Sequence, residues 1–259
     1  MSDAIPAATI ILLRDAPRFE TLMVVRHTNI AFAGGAMVFP GGRIDAGDHA
    51  PQWEDHCDGS GDILQEQLAP RIAAIREAFE ETGLLLARRG GAMISADEAL
   101  KLASWRPRVE NDDALFLEMA AGEGLRLALD ALHFFARWRP PAGVGHRRYD
   151  TWFFAARAPA SQIAEPDGGE ATEVVWAPPG AMLAERDAGR RKMIFPTSRN
   201  VELLNVSAST ADVFQFASER SIRLVEPRII ERDGTAFLTI PDDMGYPVTE
   251  EPIELAMRS

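Results

Sequence analysis

Phe39-Pro40-Gly41-Gly42-Arg43-Ile44-Asp45-Ala46-Gly47-Asp48 and Arg76-Glu77-Ala78-Phe79-Glu80-Glu81-Thr82-Gly83-Leu84 decide how this chain is read. The second run has no Pro, no internal Gly and no β-branched residue before Thr82, and Gly83 stands where a helix needs a left-handed C-terminal residue. The spacing predicts a helix ending at about Thr82. At about 100° per residue, Glu77, Glu80 and Glu81 share one arc, with Ile72, Ile75 and Phe79 on the opposite side, which predicts an acidic face and a buried face. Carboxylates at i, i+3 and i+4 repel by a few tenths of a kcal/mol per pair, so helix stability alone does not favour them. A hard divalent cation such as Mg²⁺ or Mn²⁺ reverses that sign by drawing the oxygens into coordination.

These residues resemble the box of the Nudix hydrolase family, G-x5-E-x7-R-E-U-x-E-E-x-G-U with U aliphatic. Gly42 and Asp48 match its first part, with Asp for Glu, and Arg76 to Leu84 match the second, with Ala78 at U. The spacing departs: residues 49 to 75 separate the halves, 27 in place of 7, an insertion of 20. A long Nudix subgroup that includes the mammalian peroxisomal coenzyme A diphosphatase is similar, with its box interrupted at this place. The resemblance implies one Nudix domain over residues 1–259, an α/β/α sandwich with a mixed sheet. It carries a box insertion at about 49–69, a helical insertion at about 95–125 and a C-terminal extension.

A net charge of −12 argues against electrostatic binding to nucleic acid or an anionic membrane, and 46% hydrophobic content suffices for a real core. An anionic small-molecule substrate therefore needs metal and a local basic pocket. The single cysteine, Cys57, rules out an internal disulfide and fits a reducing, cytoplasmic compartment. Its neighbours Asp55, His56 and Asp58 invite a metal reading, against which stands the more ordinary one of a solvated polar loop. No apolar run reaches the roughly 18 residues of a membrane span, and no basic region precedes the Ala7 to Leu13 run, so a soluble, unprocessed chain is expected. A homodimer is left open.

In chain order, Ala7 to Leu13 and Thr21 to His27 read as central strands around a turn with Asp15 and Pro17. Met37 to Phe39 reads as a short strand before the Gly41-Gly42 turn, where glycines let the backbone approach a ligand or the next helix. The insertion reads as a surface excursion with a short helix near Ile63 to Leu68, placed either to shape the substrate mouth or to be pinned down by Trp53. Leu84 to Leu86 is expected to rejoin the sheet, and Arg88 to Gly91 to turn. Helices starting at Ser95 and at Asn111 to Asp113 read as scaffold or lid. Leu132 to Trp138 and Tyr149 to Ala156 have the density of buried strands. Pro196, Thr197 and Ser198 look like a helix start leading through Leu204. In the tail, Ile222 to Val225 and Ala236 to Ile240 read as strands joined at Asp233-Gly234.

Several carboxylates around Mg²⁺ beside a Gly-rich turn suit attack of water on phosphorus. By resemblance, the substrate is a nucleoside diphosphate linked to another group and cut at the P–O–P bridge. Glu77, Glu80 and Glu81 are then metal ligands, with a general base among Glu77, Glu170 and Glu173. Arg76 pairs with a box carboxylate, Gly83 ends the helix, and Gly41 and Gly42 border the substrate. Arg147 and Arg148, at a strand entry, are candidates to grip phosphate or to lie in a solvated loop. Coenzyme A-directed members often carry L-L-T-x-R-[SA]-x3-R-x3-G-x3-F-P-G-G, which Arg26, Gly35 and Phe39 to Gly42 match, with His27 and Ala31 departing from it. Coenzyme A or an acyl-coenzyme A comes first, then ADP-ribose, NADH or a nucleotide sugar. A Nudix-fold regulator that binds a nucleotide without cleaving it is the contrasting class.

Overall fold

The computed structural model describes residues 4–29, 33–141 and 148–256, so Ala31 and Arg147 lie outside the described residues. β1 (Ile5–Arg14) and β2 (Glu20–Arg26) form the expected hairpin. β3 (Met37–Val38) pairs with β2, and β4 (Gly41–Arg43) pairs with β1. The main sheet runs from the strand Ala171–Ala177 through β2 and β1 to Tyr149–Arg157, then His133–Trp138 and Leu224–Val225. β1 is parallel to Tyr149–Arg157 and antiparallel to β2, which makes the sheet mixed.

β1 is apolar without alternation because it is covered on both sides. Ile10 and Leu12 join one core with Ile72, Ile75 and Phe79 of helix α1 (Leu68–Thr82). Ile11 and Leu13 join a second core on the other face. That core is closed by α5 (Pro179–Asp187), α6 (Phe195–Leu204) and α7 (Thr210–Glu219), which follow α2 (Ala96–Lys101), α3 (Arg106–Asn111) and α4 (Ala114–Gly122) along the chain. The architecture is the expected α/β/α sandwich with extra helices and strands. α1 ends as predicted, with Gly83 at φ +75° and its N–H on the Phe79 carbonyl.

Several local expectations are corrected. The Gly41-Gly42 pair is a strand, because its backbone completes the ladder against Ala8 and Thr9. Leu84 to Leu86 are buried but form no strand of the main sheet; Leu85 is held by the Gln162 side chain, and the chain enters a separate small sheet only at Ala87–Arg89. The insertion is a string of 3-10 turns broken by a short strand, Cys57–Asp58, paired with Leu127 and Ala128; its Gln65–Gln67 turn replaces the short helix expected near Ile63 and runs straight into α1. It is pinned: Trp53 is buried against Phe116, with ring centres 5.4 Å apart, and donates Nε1–H to the Gly47 carbonyl at 2.9 Å. Asp58 is bound to Arg126 at 2.5 Å and Arg88 at 3.3 Å, which accounts for one residue of the Asp-His-Cys-Asp run without a metal. The Asp233-Gly234 turn joins Arg228–Arg232 to Thr235–Thr239; the run ending at Val225 instead edges the main sheet. No helix among the described residues is long and apolar enough to cross a membrane.

Candidate active site

The acidic arc of α1 is not a solvent face: Glu77 and Glu81 are buried, and only Glu80 is partly open. β4 lies directly on it. A Cβ added to Gly42 would fall 2.5 Å from Glu77 Oε1, so the glycine is there to admit the helix carboxylate, and the Gly41 N–H donates to Glu81 at 3.2 Å.

Arg76 organises this wall. Its guanidinium donates through Nε and Nη2 to Asp48 at 3.0 and 2.9 Å, and through Nη1 to Glu77 and Glu80, both at 2.9 Å. Nη2 also reaches the Arg43 carbonyl at 2.8 Å. Arg76 thus pairs with box carboxylates and is fully spent on protein partners. On the far side, Arg26 bridges Glu81 at 3.5 Å and Glu170 at 3.3 Å.

Burial pushes the Glu77 carboxyl up to about 8 and Glu80 up to about 7, against the pull of Arg76. Glu81 is raised well above the usual carboxylate range, by burial first and then by the nearby Glu77 charge. Such crowding is what a divalent cation relieves, and the donors are all hard oxygens, which suit Mg²⁺ or Mn²⁺. Among the described residues no three His, Cys, Asp or Glu groups already converge on one point, because each box carboxylate is turned onto an arginine or an N–H. The donor set fits the cation, and Glu77, Glu80 and Glu81 are residues that could hold it.

These side chains border a cleft of about 550 Å³. Arg26, Gly41, Gly42, Arg76, Glu77, Glu80, Glu81 and Glu170 all line it. Glu170 and Glu173, inseparable in the sequence, are separated here. Glu170 opens on the cleft, whereas Glu173 lies outside its lining, in a double contact with Arg191 at 2.7 and 2.8 Å. Arg148 is also outside the lining, held by the Pro140 carbonyl at 3.0 Å and near Glu226 at 3.7 Å. The insertion contributes nothing to the cleft, whose lining passes from Asp45 directly to Arg76. Glu110 and Asn111 of α3, with Asp113 and Asp167, do border it, so the helical insertion forms a wall of the site. The acidic Glu110-Asn111-Asp112-Asp113 run was the available signal.

Fold and site together define a Nudix hydrolase, a family whose mechanism depends on a divalent metal. A family model described as the NUDT19 Nudix domain matches residues 54–196, more than half of the chain, and the chain belongs to that family. It is 28% identical to the human acyl-coenzyme A diphosphatase NUDT19 over 88% of this chain and 73% of that protein. Against the chicken (Gallus gallus) protein of the same name it is 30% identical, over 90% and 74%. A crystal structure of a Nudix hydrolase from Alicyclobacillus acidocaldarius superposes with a TM-score of 0.68 at 25% identity, covering 83% of this chain and 97% of that one.

Proposed function

We propose that this protein is a Mg²⁺- or Mn²⁺-dependent diphosphatase that cleaves the P–O–P bridge of coenzyme A or an acyl-coenzyme A. The observation that carries the reading is the wall itself: Glu77, Glu80 and Glu81 gathered by Arg76, Arg26 and the Gly41 N–H on one side of the cleft. The names of the human and chicken relatives support the acyl-coenzyme A choice.

Glu77, Glu80 and Glu81 would hold the divalent cation, which would supply neutralisation of phosphate oxygens and a more acidic water. Arg76 fixes the rotamers of Glu77 and Glu80 through a fork that is itself anchored on Asp48. Glu170, about half exposed at the cleft and restrained by Arg26, is the general base. It accepts a proton as the water oxygen bonds to phosphorus, the bridging P–O bond breaks, and two phosphate monoesters leave. Glu173, tied to Arg191, is set aside from this role. A reducing, cytoplasmic setting belongs to the same reading, supported by a free and buried Cys57.

The test is purified protein with Mg²⁺ or Mn²⁺ against coenzyme A, acyl-coenzyme A, ADP-ribose, NADH and a nucleotide sugar, with products separated by mass. Coenzyme A or its thioester is expected to give two monoesters fastest. Tight binding of one compound with no cleavage of any would instead make the protein a nucleotide-binding regulator.

A further inference from the structure

The cleft has a second wall that the chemistry above leaves unused. Trp138, Tyr149, Phe153, Ile194, Pro196 and Thr197 line it, and none carries a charge. The opposite wall is rich in carboxylates, which repel every phosphate that the bound cation does not reach. A substrate with more anionic groups than its scissile pair needs a further source of positive potential here.

α6 supplies one. Its ten residues begin at Phe195 after Ile194, whose side chain cannot cap, and the Ser/Thr signal in the sequence falls inside the helix instead of before it. Pro196 removes one N–H, and the Ser198 N–H bonds to the Ile194 carbonyl, which leaves the Thr197 N–H without an acceptor among the described residues. Thr197 is only 3% exposed, yet it lines the cleft, and its hydroxyl makes no hydrogen bond among the described residues and is not one of the sealed, unpartnered polar atoms of the interior. A hydroxyl with no protein partner, on a residue otherwise buried, beside a free N–H at a helix start is a receptor for an oxyanion.

We propose that the first turn of α6, with the Thr197 hydroxyl and N–H as donors, is a subsite for a phosphate of the substrate outside the scissile diphosphate. The proposal takes its substrate from the diphosphatase reading, but its anion chemistry stands without it.

The experiment is titration of ¹⁵N-labelled protein with inorganic phosphate in EDTA, following the Phe195 and Thr197 amide signals. Saturable shifts at both are expected. Thr197→Val, which keeps the shape and loses the hydroxyl, weakens phosphate roughly 10-fold, and Thr197→Ser binds as the parent does. In turnover, Thr197→Val raises KM with kcat within about twofold, the mark of lost ground-state binding. Phosphate shifts confined to other regions, or equal affinity in Thr197→Val at an unchanged melting temperature, overturn the subsite. If the unsubstituted protein cleaves nothing while phosphate still shifts the Thr197 amide, the subsite is supported and the diphosphatase reading falls alone.

Discussion

Arg76 and Asp48, 28 positions apart and on either side of the insertion, meet in a two-pronged contact at 3.0 and 2.9 Å, with both side chains buried. Burial raises the Asp48 carboxyl, and the Arg76 fork opposes that rise. The contact closes the interrupted box as though the 20 extra residues were absent. Asp48→Ala leaves a buried guanidinium short of its fork partner, which should cost about 3 kcal/mol in urea unfolding. Arg76→Lys cannot form the fork and should lower kcat roughly 10- to 100-fold. An Asp48→Ala protein as stable as the parent would remove this pair from the account.

Glu81→Gln separates chemistry from folding. The carboxyl is already pushed toward its neutral form by burial, so an uncharged isostere at this position should leave the melting temperature equal or higher. Turnover should fall on the order of 10²-fold or more, because a neutral amide is a poor ligand for a hard cation. Near-normal turnover at saturating Mg²⁺ takes Glu81 out of the metal site.

How far the site was legible follows from which signals are local. The end of α1 at Gly83 and the acidic arc were readable because a left-handed C-terminal residue and a 3.6-residue period are written in adjacent positions. The burial of that arc was not, since it depends on β4 crossing it 35 residues earlier, where Gly42 stands against Glu77. Glu170 and Glu173 look alike in sequence. A register shift in the ladder between Ala171 and Glu173, together with Arg191 of a later loop, decides which of them meets the cleft. The helical insertion reads in sequence only as scaffold or lid, because Glu110 and Asp113 gain meaning only where α3 packs on α1 and Phe116 of α4 meets Phe79, which brings them to the cleft.

Trp53 should matter to stability and little to substrate. Its ring is buried against Phe116, and neither residue lines the cleft. Trp53→Ala is expected to cost about 3 kcal/mol or more from the cavity and the lost contact. Among molecules still folded at low temperature, KM should be unchanged. A several-fold rise in KM, measured where circular dichroism shows full folding, would bring the insertion back to the substrate mouth.

Cys57 gives the pH-dependent prediction. Burial pushes its thiol up to about 12, with the Arg126 charge opposing and Asp58 reinforcing the shift. The folded protein should therefore react negligibly with a thiol-disulfide reagent at pH 8, and fully only after unfolding, because the thiolate is the nucleophile. The stability consequence has a definite sign. Below the ordinary thiol pKa of about 8.5 both states hold the proton and nothing is lost. Between there and about 12 the unfolded chain releases it while the folded one does not, so stability falls as pH rises. Cys57→Ala removes this component: its unfolding free energy should decline less between pH 8.5 and pH 10.5 than that of the parent. Parallel declines, or rapid labelling of the native thiol at pH 8, contradict a closed environment for Cys57.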